Sequence, residues 1–241
     1  RICTAPWAAI KDSSDLETAT AKTGLPAVLK TSRFGYDGKG QIRVDEESEL
    51  IEAWSKIGHA PAILEGFVDF EREISVIVAR SSDGITESYV PVDNLHRDHI
   101  LHTTTAPSTV AEDIANEARR TAAQIGTALD LVGVLAVEMF VLRDGALLIN
   151  EIAPRPHNSG HWTIDACAVS QFEQFIRAVT GLPLGDPSRH SNAVMTNLIG
   201  DEADTWAELV SEPGACLHLY GKVEARPHRK MGHITRLSPF S

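Results

Sequence analysis

The segment from Gly133 to His161, GVLAVEMFVLRDGALLINEIAPRPHNSGH, constrains this chain more than any other stretch. Apolar and β-branched residues lead into Arg143-Asp144-Gly145 and resume at Ala146-Leu147-Leu148-Ile149, the pattern of two antiparallel strands joined by a tight turn. Each strand sets an acid in apolar surroundings, Glu138 between Val137 and Met139 and Glu151 between Asn150 and Ile152. An ionised carboxylate is costly to bury unless a cation or hydrogen-bond donors meet it. Two such acids on neighbouring strands, with an amide beside the second, form a hard oxygen-donor set. That set suits magnesium, which is usually held by one or two carboxylates together with a nucleotide's phosphates. The alternative is that one or both acids face solvent on a half-exposed sheet. The following loop, Ile152 to His161, packs Arg155, His157, Asn158 and Ser159 among two prolines and a glycine, a stiff array of donors suited to an anion.

With 43% hydrophobic and 23% charged residues, the 241-residue chain suits a soluble globular protein of one large domain or two smaller ones. Its net charge of −11 argues against broad binding to nucleic acid or anionic membranes. Cys3, Cys167 and Cys216 are widely spaced and odd in number, which reads as reduced thiols in a cytoplasmic protein. No apolar run approaches the ~20 residues of a membrane span and no signal-peptide pattern opens the chain. The opening Arg1 to Trp7 reads like the middle of a polypeptide, so a fragment or processed chain is expected.

Along the chain, a helix is expected over residues 13–23, stopped by Gly24, followed by a strand at Ala27 to Lys30. GYDGKG at 35–40 is either an ordinary hairpin turn or a glycine-rich flap whose amides, with Lys30, Arg33 and Lys39 nearby, could cover phosphates. It is not the Walker pattern. Glu46 to Ile57 spaces Leu50, Ile51, Trp54 and Ile57 as a helix. Strands are expected at 62–65, 71–80 and 86–91, and Glu65 and Glu73 could serve an adenosine. His96, His99 and His102 are either a zinc cluster or, as strand spacing favours, a hydrogen-bonding His96 with two surface histidines. Residues 109–131 form the longest helical pattern. Helices are then expected at 170–180 and 205–210, and strands at 193–200 and 217–221. Between Lys222 and His233 basic side chains cluster, as a solvated face or as a phosphate or carboxylate site.

Lys30, GYDGKG, Glu65, Glu73, Glu138, Asn150-Glu151, APRPHNSGHW at 153–162 and Arg229-Lys230-Met231-Gly232-His233 together resemble the ATP-grasp ligases. Among these, the likeness is to the synthetases of 5-(carboxyamino)imidazole ribonucleotide in purine biosynthesis. The resemblance implies an α+β ATP-grasp fold followed by a small β-rich domain. Its expected divisions are a small lobe with the flap (1–70), a large lobe with the metal site and donor loop (71–200), and an incomplete C-terminal domain (201–241). It implies that Lys30 touches ATP phosphates under a flap including Gly35 and Gly38. Glu65 with the backbone at Phe67 and Val68 would read the adenine, Glu73 the ribose, and His96 would lie near the nucleotide. Glu138 and Glu151, helped by Asn150, would hold magnesium.

The implied reaction joins bicarbonate to the exocyclic amine of 5-aminoimidazole ribonucleotide through carboxyphosphate. Arg155, His157, Asn158 and Ser159 would serve the bicarbonate site, while Tyr36, Asp37 and Lys230 would close over the intermediate. Lys222, Arg226 and Arg229 would grip the ribonucleotide's phosphate, and a homodimer is expected. Two departures stand out. Phe34 occupies a position where such ligases tend to have a second glycine. A preceding nucleotide-fold domain, which would help bind the ribonucleotide, has no counterpart here. The alternatives are an ATP-grasp ligase with another acceptor and a non-catalytic MgATP-binding fragment.

Overall fold

Apolar alternation builds two antiparallel sheets, one in each of the chain's two units, Arg1–Phe70 and Glu71–Ser241. The structure, a computed structural model, describes residues 2–33 and 40–240. The glycine-rich flap, with Phe34, Gly35, Tyr36, Asp37, Gly38 and Lys39, lies outside the described residues. The fold is mixed α and β, as expected, and no described helix is long and apolar enough to cross a membrane.

The first unit runs β1 (Trp7–Ile10), α1 (Asp15–Thr23), β2 (Ala27–Thr31), β3 (Gln41–Val44), α2 (Glu47–Lys56) and β4 (Ala62–Gly66). Its strands lie in the order β1-β4-β2-β3. Ile10, Leu29, Val44, Leu50 and Leu64 form the buried core. The α1 helix stops where Gly24 takes a φ of +73°, a conformation that favours glycine. Helix α2 opens on a capping box between Glu46 and Glu49 and buries Leu50, Ala53 and Trp54. Ile51, expected on that apolar face, is 60% exposed, because the buried stripe repeats at positions three and four apart.

The second unit runs β5 (Arg72–Arg80), β6 (Thr86–Ser88), β7 (Val92–Arg97), β8 (Ile100–Ala106), α3 (Glu112–Ala128), β9 (Gly133–Val141) and β10 (Leu147–Ala153). A 3-10 turn at Asn158–Gly160 follows, then α4 (Thr163–Ala166), α5 (Gln171–Thr180), β11 (Asn192–Ile199), α6 (Trp206–Leu209), β12 (Ala215–Leu219) and β13 (Lys230–Ser238). Eight strands lie in the order β10-β9-β5-β7-β8-β11-β13-β12, with β6 paired to β5.

The two faces of this sheet have different coverings. On one, Ala118, Ala122 and Ile125 of α3 pack against Ile74, Val76, Val137, Met139 and Val141. On the other, Trp162, Ala166 and Phe175 pack against Ile77, Ala79, Val134 and Ala136. This second face continues into a polar band, described next.

Candidate functional site

Strand pairing assembles the band. Glu151 lies opposite Glu138, and Glu138 opposite Ser75. Glu73 pairs with Asn94, and Asn94 with Thr104. Farther across, Asn197 pairs with His233, and His233 with His218. Because side chains alternate along a strand, these residues share one face.

The acid pair depends on an irregularity in β10. Ile149 pairs with Met139, yet Glu151 pairs with Glu138, so Asn150 is the extra residue of a bulge. Simple alternation would send Glu151 to the side of Leu147 and Ile149, which pack toward α3. The bulge turns it to Glu138's side instead. Glu138 is partly buried while Glu151 is exposed, so the expectation of two buried acids holds for one of them. Burial, and next the Glu151 charge, push the Glu138 carboxyl up to about 7, Glu73 pushing the same way and His96 and Lys230 the other. Like charges directly opposed on a sheet are unfavourable without a cation between them.

His157 Nε2 lies 3.4 Å from Glu138 Oε1. On β5 and β7, Glu73 Oε2 lies 2.7 Å from His96 Nδ1. Burial alone would lower the His96 pKa, but the bond to Glu73 and its charge, with that of Glu138, raise it overall. His99 is exposed in the turn between β7 and β8 with a φ of +63°, and His102 Nδ1 contacts Thr103 Oγ1, so each of these histidines has its own setting.

The donor loop is fastened from below. Buried Gln171 of α5 accepts from the His157 N–H (2.9 Å) and donates to the His157 carbonyl (2.7 Å). Gly160 permits this closeness, since a Cβ there would stand 2.6 Å from Gln171 Oε1. Asn158 and Asn197 exchange amide hydrogen bonds at 2.9 and 2.6 Å, and Asn197 also donates to the Leu101 carbonyl. Arg155 is exposed and its Nη1 donates to the Pro156 carbonyl.

Beyond the loop, the Tyr220 hydroxyl lies 3.0 Å from His161 Nδ1 and 2.8 Å from His233 Nδ1. Burial pushes the His161 pKa down to about 4 and that of His233 to about 3, neighbouring cationic groups adding to each. Asp165, His218 and His233 bring ligand-type atoms within 4.8 Å of one another. The two imidazole rings are stacked, 14° from parallel with centroids 4.6 Å apart, so their in-plane lone pairs do not converge on one ion.

At the basic stretch, Lys222 Nζ donates to the Lys230 carbonyl at 2.6 Å. Arg226 pairs with Glu224, and Arg229 donates to the Glu224 carbonyl. In the first unit, Lys30 of β2 and Glu65 of β4 form an ion pair at 2.5 Å. Exposed Phe67 lies under the Arg43 guanidinium, 4.4 Å from ring centroid to guanidinium carbon, and Val68 is half-buried beside it.

Sequence reasoning did not single out Gln171, Asn197, Ser75, Asn94 or Tyr220. The available signal was a polar residue inside an apolar run, as with Ser75 between Ile74 and Val76.

A family model described as the ATP-grasp domain matches residues 1–172. A second, the phosphoribosylaminoimidazole carboxylase C-terminal domain, matches residues 193–240. The N5-carboxyaminoimidazole ribonucleotide synthase of Brucella melitensis is 52% identical over 238 residues, covering 98% of this chain and 66% of the relative. That of Bacillus subtilis is 47% identical, covering 96% and 61%. Among solved structures, an ADP complex of an N5-carboxyaminoimidazole ribonucleotide synthetase matches with a TM-score of 0.93 at 43% identity, covering 98% of this chain and 63% of that one. The Aspergillus clavatus N5-carboxyaminoimidazole synthase in complex with ADP and 5-aminoimidazole ribonucleotide matches with a TM-score of 0.91 at 33% identity, covering 99% and 64%. The chain thus spans about two thirds of the length of these relatives.

Proposed function

This chain belongs to the ATP-grasp family, and from that premise we propose that it carries out the ATP-dependent carboxylation of 5-aminoimidazole ribonucleotide with bicarbonate. The products are 5-(carboxyamino)imidazole ribonucleotide, ADP and phosphate. The observation that carries the reading is the facing pair Glu138 and Glu151, beside the donor loop that Gln171 holds in place. Its 52% identity to the Brucella synthase supports the choice of acceptor.

The opposed carboxylates fit magnesium, because a divalent cation would offset both the burial and, next, the Glu151 charge that raise the Glu138 pKa. Glu138 and Glu151, with Asn150, would hold it. When bound, it supplies positive charge to the nucleotide's phosphates.

A bicarbonate oxygen attacks the γ-phosphorus of ATP, and the bond to the bridging oxygen breaks, releasing ADP and giving carboxyphosphate. Its breakdown yields carbon dioxide and phosphate. The ribonucleotide's amine then adds to the carbon and loses a proton, giving the carbamate. The chain's work is to position the reactants and to offset charge. Arg155 offers an unburied guanidinium to the bicarbonate or carboxyphosphate oxygens, and His157, Asn158 and Ser159 line the same loop. Lys30 serves the ATP phosphates, Glu65 with the Phe67 and Val68 backbone the adenine, and Glu73 with His96 the ribose. Tyr36, Asp37 and Lys230 serve the intermediate, and Gly35 and Gly38 the ATP phosphates. Lys222, Arg226 and Arg229 hold the ribonucleotide phosphate, Arg226 exchanging Glu224 for it. The protein acts in the cytoplasm as a homodimer.

The test is phosphate release from MgATP and bicarbonate, with and without 5-aminoimidazole ribonucleotide, with the carbamate assayed directly. Release that rises with the ribonucleotide and matches the carbamate formed is the expected result. Release that ignores the ribonucleotide would sink the choice of acceptor.

A further inference from the structure

Beneath the donor loop, four buried side chains form a line that ends at His157. Thr104 Oγ1 donates to Asn94 Oδ1 at 3.0 Å, and Asn94 Nδ2 donates to Ser75 Oγ at 2.9 Å. Ser75 Oγ lies 2.8 Å from Ser159 Oγ, which lies 2.9 Å from His157 Nδ1. None of the five residues is more than 9% exposed.

One backbone group sets the direction of every proton in the line. The Ser159 N–H also points at His157 Nδ1, at 3.3 Å. A peptide N–H can only donate, so Nδ1 carries a lone pair and the neutral ring bears its proton on Nε2. The Ser159 hydroxyl therefore donates to Nδ1, and its oxygen accepts from Ser75. Having given its proton to Ser159, Ser75 accepts from the Asn94 amide, which leaves the Asn94 carbonyl for Thr104. All four side chains thus direct their donors toward the ring, whose Nε2 lies on the Glu138 side.

We propose that Ser75 and Asn94 are positioning residues that act through Ser159 to hold His157 as the Nε2–H tautomer, a fixed donor for an oxyanion of bicarbonate or carboxyphosphate. The inference rests on the carboxylation reading of this site. The opposite tautomer would turn a lone pair toward the anion and repel it. The reversed line would protonate Nδ1 and leave the Ser159 N–H without its acceptor, so the backbone and this role require the same direction.

The experiment uses the 241-residue chain labelled with 15N in its ten histidines, with His157 assigned by difference from His157→Gln. Ring-nitrogen shifts are read near pH 8 without ligands, where an ordinary imidazole is neutral. Wild type is expected to show a pyrrole-like Nε2 and a pyridine-like Nδ1. A wild-type ring protonated at Nδ1 overturns the proposal, whatever the variants do. Ser75→Ala is expected to give a measurable Nδ1–H population and to lower kcat about tenfold, with KM for ATP within about twofold. In a Ser159→Ala background, Ser75→Ala is expected to change neither quantity. Equal effects of Ser75→Ala with and without Ser159 would show that it acts on the fold and overturn the relay. A fixed Nε2–H tautomer that shifts in Ser75→Ala, in a chain with no bicarbonate-dependent turnover, would support the relay and count against the carboxylation.

Discussion

Glu138 and Glu151 face each other across β9 and β10 because Asn150 bulges out of the ladder between Ile149 and Glu151. Burial of Glu138, and next the Glu151 charge facing it, both disfavour the ionised Glu138 carboxyl.

Linkage gives that statement a sign. The folded-state pKa of Glu138, about 7, lies above the ordinary value of 4.5, so the favourable balance is complete below about pH 4.5 and is lost as pH rises through 7. Glu138→Gln should therefore raise the melting temperature of the metal-free protein at pH ~8 by about 2–4 °C per kcal/mol relieved. The same variant should lose magnesium-dependent stabilisation and phosphoryl transfer. A thermal melt with and without magnesium checks both, and a drop in the metal-free melting temperature would count against the repulsion.

Glu151→Gln should weaken magnesium-dependent phosphoryl transfer far more than it changes the fold. Glu151 is exposed, and substitutions at exposed positions usually shift stability by no more than about 0.5 kcal/mol. Phosphate release over a magnesium titration, set beside a melt, separates the effects. Equal loss of both would make this acid a structural residue.

The neutral histidines behind the loop predict acid sensitivity. His161 and His233 have folded pKa values of about 4 and 3, below the ordinary 6.5, so the unfolded chain takes up protons first. Stability is complete above about pH 6.5 and falls with pH below it, until the folded rings themselves protonate. Each ring steepens the loss toward ~1.4 kcal/mol per pH unit. In a Glu138→Gln background, which removes the carboxyl that titrates at about 7 with the opposite sign, melts between pH 7.5 and 5.5 should show this slope, and adding His233→Gln should flatten it. An unchanged slope would mean that the ring protonates as readily in the folded protein.

Gly160→Ala should reduce stability and turnover together. Its Cβ would collide with the Gln171 amide, which holds both backbone groups of His157. Leaving a buried backbone group unpaired costs about 1–3 kcal/mol. Chemical denaturation with an unchanged midpoint would show that Gln171 can yield.

Arg155→Ala should abolish bicarbonate-dependent turnover while leaving ATP binding within about twofold. Its guanidinium is exposed and bonds a carbonyl of its own loop, so little of the fold depends on it. Loss of ATP affinity as large as the loss of turnover would place Arg155 at the nucleotide instead.

The sequence made the hairpin, its two acids and the donor loop legible, since each breaks an apolar pattern locally. Helix α5 was equally plain, with Ser170 capping its start and Gly181 in a left-handed conformation at its end. The strand β1 was hidden because four residues give too short an alternation to read. The strand β13 was hidden by composition: Lys230 and Arg229 suggest a solvated face, yet His233, Ile234 and Thr235 are buried in the sheet. The line from Thr104 to His157 was invisible because it joins residues from three strands and a loop, and only pairing brings them together.

The bulge at Asn150 makes β9–β10 a hairpin with two independent frames. The frame near the turn, from Leu147 to Ile149, is fixed by burial against α3; the frame beyond it, from Glu151 to Ala153, is offset by one residue. Deleting Asn150 would merge the frames into one regular ladder that keeps Glu151 opposite Glu138, whereas pairing Asn150 with Glu138 would exchange inside for outside over the whole distal half, carrying Glu151 toward the α3 core and Ile152 onto the polar face. A single extra residue in one strand thus acts as a phase shifter, letting that strand obey the hydrophobic core at one end and the chemistry of charge at the other.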